Sequence, residues 1–125
     1  MGESRVRAAR GAIRVATDAA ESVLSATERL LSTMLDRNAV ATEDIVSVFF
    51  TATDDLRSAF PAEAARRIGL GHVPLLCARE IPVEGSMPGV VRVLMHFHSE
   101  RALSEVVHVY LDGAEALRDD LDIAP

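Results

Sequence analysis

The spacing of apolar residues changes character repeatedly along the chain, and each change marks an element. Residues 5–15 (RVRAARGAIRV) alternate in a way that puts Val6, Ala8, Arg10 and Ala12 on one side, which predicts a first strand. Asp18 followed by Glu21 has the form of a capping box, and Val23, Leu24, Leu30, Leu31, Met34 and Leu35 then recur with helical spacing. This predicts a helix running to Asp36 or Arg37. Asn38 opens a connection in which Thr42-Glu43-Asp44 supplies one more helical turn, ahead of the run Ile45 to Ala52 (IVSVFFTA). That run is short and β-branched or aromatic, so it predicts a buried strand.

Asp54 and Asp55 break the pattern, and Phe60-Pro61-Ala62-Glu63 then places proline at a first helical position, with Gly69 and Gly71 as stop signals. A short helix over 61–68 follows. Val73 to Glu80 (VPLLCARE) predicts a third strand, and Pro82, Gly85, Pro88 and Gly89 mark a turn-rich loop. Val90 to Phe97 (VVRVLMHF) and Val106 to Leu111 (VVHVYL) predict two further strands, joined through a loop or a brief helical piece at 101–105 and paired like a hairpin. The order strand, helix, strand, helix, strand, strand, strand predicts an α+β fold, a mixed β-sheet with helices packed on one face. The length fits a single domain over 1–125, with an acidic tail over about 112–125 that is partly mobile.

Composition adds constraints. Apolar residues make up 49% of the chain, rich for a small domain with much surface, so part of that apolar area is expected to face another subunit. The formal charge of -6 disfavours nucleic acid and anionic membranes as partners, although arginines gathered in one place could still hold a small anion. Cys77 is the only cysteine, so no intrachain disulfide is possible and a cytoplasmic location is the expectation. The residues after Met1 carry charge early and form no apolar signal region, no stretch reaches the roughly 18 apolar residues of a membrane helix, and Val6 breaks the myristoylation pattern.

A few residues are out of place in an ordinary core. Arg92 lies among Val90, Val91, Val93, Leu94 and Met95, and a buried arginine needs compensation because losing its hydration costs several kcal/mol. It points into water from an edge, pairs with Glu80, or holds an anion. Arg10 poses the same question beside the small residues Ala8, Gly11 and Ala12, and Tyr110 sits in a strand where its ring packs while its hydroxyl needs a partner. Strict alternation puts Cys77 and Glu80 on opposite faces, and no Cys/His pattern makes Cys77 a nucleophile. His96 and His98 face one way and His108 falls in the next predicted strand, too little for a metal site without a third ligand and an ordered second shell. Gly69-Leu70-Gly71 lacks the third glycine and the strand-to-helix context of a dinucleotide loop.

The segments Arg7-Ala8-Ala9-Arg10-Gly11-Ala12, Thr51-Ala52-Thr53-Asp54-Asp55-Leu56, Phe60-Pro61-Ala62, Val73-Pro74, Cys77 with Glu80, Val91-Arg92-Val93 and His108-Val109-Tyr110-Leu111, in that order, resemble the monofunctional barrel-type chorismate mutases over nearly the whole chain. The resemblance implies a cytoplasmic homotrimer whose sheets form a pseudo-α/β barrel, with active sites in clefts between neighbouring chains. It implies the cofactor-free [3,3] rearrangement of chorismate to prephenate in aromatic amino acid biosynthesis, in which a C–O bond breaks as a C–C bond forms.

Carried over by position, the resemblance makes Arg92 the donor to the ether oxygen, and puts Arg10 and Tyr110 on a substrate carboxylate. Glu80 and the backbone or thiol of Cys77 then meet the ring hydroxyl, while Phe60, Ala62 and Arg66 line the cleft and Leu117 with Arg118 covers its entrance. Glu63 departs from the family, which often has a basic residue there. Two other readings remain open at this level: an imine or enamine deaminase on a similar trimeric fold, and a non-catalytic sensor of small carboxylates.

Overall fold

The computed structural model describes residues 3–118. Five strands form one sheet: β1 (Arg5–Arg14), β2 (Ile45–Ala52), β3 (Leu75–Arg79), β4 (Val90–Ser99) and β5 (Val109–Leu111). Their spatial order is β3-β2-β4-β1-β5. β4 is central and antiparallel to both β1 and β2, whereas β3 runs parallel to β2 and β5 parallel to β1. Two helices, α1 (Ala20–Arg37) and α2 (Pro61–Arg67), cover one face, so the fold is the mixed α+β sheet that the pattern predicts.

The covered face follows from alternation. Ala9, Ile13, Val48, Phe50, Val91, Val93, Met95 and Phe97 turn towards the helices and are buried. α1 returns Val23, Leu24, Leu30, Leu31 and Met34 at three- and four-residue spacing, the stripe a helix needs against a sheet. At about 25 cal/mol per Å² of apolar area removed from water, this face is the main source of stability. Gly11 lies under α1: a Cβ there would lie 2.5 Å from Met34 Sδ, so any larger residue forces the Met34 side chain to shift. Gly89 is required at the foot of β4, where φ is +70° and a Cβ would lie 2.8 Å from the Val15 carbonyl oxygen.

Three expectations need correction. The hairpin between the last two strands does not form, because β1 and β2 already occupy both edges of β4; β5 takes the free edge of β1 and is only three residues long. The residues before it are drawn elsewhere: buried Asn38 donates to the carbonyls of Met34 and Val107 and accepts from Val107 N–H, tying the end of α1 to the approach to β5. The Asp18–Glu21 capping box is also absent. Ala19 is the N-cap and makes no side-chain bond, while Asp18 accepts from the N–H groups of Arg57 and Ser58.

β2 is not buried on both sides, since Val46 and Phe49 remain 39% and 38% exposed on the face that no helix covers. In the tail region Ala114–Arg118 form a 3-10 helix with Ala114 buried, and residues 119–125 lie outside the described residues. No helix among the described residues is long and apolar enough to cross a membrane.

Candidate active site

The uncovered face of the sheet carries the polar chemistry, and the register dictates how it is laid out. Thr51 pairs with Arg92, Arg92 with Ala12, and Ala12 with Tyr110, so one row of side chains crosses β2, β4, β1 and β5. Arg10 stands two residues from Ala12 on the same face, opposite Leu94. The small side chain of Ala12 between Arg92 and Tyr110 leaves a floor into which a ligand could sink. The result is a groove of about 320 Å³ lined by Arg10, Thr51, Glu80, Arg92, Leu94 and Tyr110, among others.

Glu80 enters this groove from just beyond β3. Its N–H bonds the Ala52 carbonyl at 3.0 Å, extending the ladder one step past the strand. Its carboxylate oxygen Oε2 accepts from Thr51 Oγ1 and lies 3.2 Å from Arg92 Nε. The Arg92 side chain is 44% exposed and that of Glu80 21%, so this is a partly solvated pair at a groove wall, and its net worth is modest. With Nε turned to Glu80, the two terminal nitrogens of the planar fork remain for an anion.

Two further groups frame the groove. Arg10 N–H donates to His108 Nδ1 at 3.0 Å, which fixes the tautomer with its proton on Nε2. Burial, together with the charges of Arg10 and Arg118, holds the His108 imidazole below its ordinary pKa, so it adds no positive charge at neutral pH. The Arg118 guanidinium lies 5.7 Å from the Tyr110 ring centroid, a cation–π arrangement, and Leu117 packs near Tyr110 over Ala12, Val90 and Ala114. Three arginines thus gather about one groove, with Glu80 the acidic residue in its lining, on a chain whose net charge is -6.

The remaining residues singled out from the sequence fall elsewhere. Cys77 pairs with Phe50 in the parallel register and therefore lies on the helix side of the sheet, opposite Glu80, as alternation requires. It lines a second groove of about 630 Å³ with Leu56, Arg57, Phe60, Glu63 and Arg79. Phe60 is 76% exposed there, while Ala62 is buried in the core and Arg66 is exposed on α2 outside that lining. A single chain therefore brings Arg10, Glu80, Arg92 and Tyr110 together, and leaves Phe60 and Cys77 in a separate depression.

His96 faces Ser47 Oγ at 3.4 Å and meets Phe49 edge-on, whereas His108 Nδ1 accepts from Arg10 N–H. No group of three or more His, Cys, Asp or Glu among the described residues could hold a metal ion. Sequence reasoning missed Thr51 as an individual residue. The signal was present, since residues 47, 49 and 51 share a face opposite buried Val48, Phe50 and Ala52, but it needed the β2–β4 register to aim Thr51 at Arg92.

An open sheet face with arginines converging on a small-floored groove, on an α+β scaffold, has the charge and shape to hold a small anion. The chain belongs to the chorismate mutase type I family, whose model matches residues 6–121. It is 51% identical over 120 residues to Chorismate mutase AroH of Thermus thermophilus, covering 95% of this chain and 98% of the relative. Chorismate mutase AroH of Bacillus subtilis is 35% identical over 119 residues, covering 94% of each. Among solved structures, a chorismate mutase from Clostridium thermocellum superposes with a TM-score of 0.87 at 40% identity, covering 88% of this chain and 98% of that one.

Proposed function

We propose that this chain is a chorismate mutase that rearranges chorismate to prephenate in a cleft assembled from two subunits of a cytoplasmic homotrimer. The reaction moves no proton and needs no nucleophile, so the protein contributes shape and charge. Chorismate carries two carboxylates and reacts from a compact diaxial shape; holding it there supplies part of the barrier reduction as orientation. As the C–O bond breaks, negative charge grows on the ether oxygen. A fixed guanidinium aimed at that oxygen stabilises the transition state more than the substrate.

Arg92 takes that role, lining the groove with its Nε on Glu80. Arg10 and Tyr110 hold a carboxylate, and Glu80 accepts from the ring hydroxyl through the oxygen not engaged by Thr51 and Arg92. Arg118 and Leu117 cover the Tyr110 end. A 10⁶-fold acceleration requires about 8 kcal/mol. One well-placed oxyanion donor supplies about 3 to 4 kcal/mol of that, and orientation with the other contacts supplies the rest.

The two grooves support assembly between chains. Phe60 and Cys77 lie across the sheet from Arg92, so they meet the same substrate only if one subunit's second groove closes over its neighbour's first. A head-to-tail contact of this kind closes into a three-membered ring when each step turns by a third of a revolution. Exposed Phe49, Leu76, Ile81 and Val83 provide apolar area for such contacts. Arg66 and Ala62 then act from α2, the first from its exposed side and the second by packing that helix. Glu63 beside Phe60 brings a negative charge where a dianion must enter, and Arg57 and Arg79 in the same groove offset it.

The observation that carries this reading is the convergence of Arg10 and Arg92 on one groove beside a single carboxylate in an acidic chain. The test is the loss of chorismate absorbance on adding purified protein in chelator-treated buffer, with prephenate identified as product. Binding of chorismate without turnover would leave a sensor, and release of ammonia from imino acids instead would point to a deaminase.

A further inference from the structure

Thr51 does not enter the groove as a ligand group of obvious chemistry, yet it is placed where the rest of the site depends on it. It sits opposite Arg92 in the β2–β4 register and opposite Ala78 in the β2–β3 register, on the uncovered face. Glu80, two residues past Ala78, is therefore held at both ends by consecutive residues of β2. Its N–H bonds the Ala52 carbonyl, and its Oε2 accepts the Thr51 hydroxyl. The same Oε2 faces Arg92 Nε at 3.2 Å.

We infer that Thr51 is a positioning residue: by fixing Glu80 Oε2 it sets the direction of the Arg92 guanidinium and leaves Glu80 Oε1 for the substrate's hydroxyl. The inference rests on the role proposed for Arg92. Without the Thr51 hydroxyl, the Glu80 carboxylate can rotate about its terminal torsion, which is broad and has no strong preference of its own. Arg92 is partly solvated and would follow it, since a half-exposed ion pair alone holds two long side chains weakly. A residue that acts by orientation changes the transition-state contact more than ground-state binding, so the effect falls mainly on kcat.

The test compares Thr51→Val, which keeps the branched shape and removes the hydroxyl, with Thr51→Ser, which restores it. Loss of one hydrogen bond to a charged group predicts that Thr51→Val lowers kcat about tenfold with little change in KM, while Thr51→Ser stays within about threefold of the parent. In a Glu80→Ala background, Thr51→Val should cost almost nothing more, because the route runs through Glu80. The Arg92 Nε–Hε resonance, identified by its loss in Arg92→Lys, should shift and broaden in Thr51→Val and be restored in Thr51→Ser.

Unchanged kcat and an unmoved resonance in Thr51→Val, or a full further loss in the Glu80→Ala background, would overturn the inference. If the parent protein does not turn chorismate over, the proposed reaction fails, and the resonance alone still decides whether Thr51 orients Arg92. Should Thr51→Val not fold, Thr51→Ala removes the same hydroxyl with less bulk and is read in the same way.

Discussion

The two faces of the sheet are written by alternate residues of the same strands, and they are built to opposite requirements. On the helix side, Phe50, Val93, Met95 and Phe97 are interchangeable in kind: each must be apolar and of the right volume. On the other side, Thr51, Arg92 and Tyr110 are held by particular partners, and their solvation is only half removed. Stability is therefore concentrated on one face and chemistry on the other. A substitution should report which face it touches by whether it changes unfolding or turnover.

The sharpest break of that comparison is Arg92→Lys. It keeps the charge but loses the planar fork, so turnover should fall by about 10² to 10³, with an unfolding midpoint close to the parent's. Steady-state rates and thermal melts on the same sample decide it; near-normal turnover would remove Arg92 from the role proposed. The opposite case is Phe50→Ala on the covered face. It should destabilise by about 3 to 5 kcal/mol in denaturant titration, while the protein that stays folded keeps near-normal kcat. Gly11→Ala should act likewise but less, by about 1 to 3 kcal/mol, because Met34 must move from a contact of 2.5 Å.

Subunit mixing sharpens the comparison from another side, since it asks whether the two grooves serve one reaction. Arg92→Lys damages the first groove and Phe60→Glu the second. Unfolded together and refolded at equal amounts, the two inactive proteins should recover about a quarter of parental turnover, because in a ring of head-to-tail contacts one interface in four receives two intact halves. No recovery after mixed refolding, with mixed oligomers demonstrated by mass, would mean that both grooves act within one chain; full turnover of Phe60→Glu alone would mean that Phe60 is uninvolved.

How much of this was legible without the structure depends on how local the cause was. β1, β2 and β4 announced themselves through alternation and branched residues, and α1 through its stripe, because each is decided by its own side chains. The face of Cys77 relative to Glu80 also followed from counting by two. The partner of β5 did not, since it depends on which edges other strands had already taken, and neighbours in sequence were the wrong guide. Asp18 misled for a similar reason. Its carboxylate can satisfy only a few donors, and the turn at Arg57 and Ser58 claimed them in place of α1. The role inferred for Thr51 needed two registers at once, and the roles proposed for Phe60 and Cys77 need a second chain.

The smallest effect concerns His108, the group that joins the two kinds of face by fastening β5 to β1 beside the site. Burial first, then the charges of Arg10 and Arg118, place its folded-state pKa below the ordinary 6.5. The unfolded chain therefore takes up this proton first as pH falls. Stability linked to His108 is complete above about 6.5 and declines as pH drops from there through the lower folded value. Asp18, Glu21 and Asp55 are also held low, Asp18 first by Ser58, Glu21 first by Arg67, and Asp55 by bonds from Thr53 and Gly89 that outweigh the opposing effect of burial. Their losses begin only near the ordinary carboxylate values of 3.8 and 4.5, so the two windows separate. His108→Asn, which keeps an acceptor for Arg10 N–H, should flatten the decline of the unfolding midpoint just below about pH 6.5 and leave the acid limb below pH 4.5 unchanged. A profile identical to the parent's in the upper window would show that protonating this ring costs the fold nothing, and that β5 is held to β1 by its backbone ladder alone.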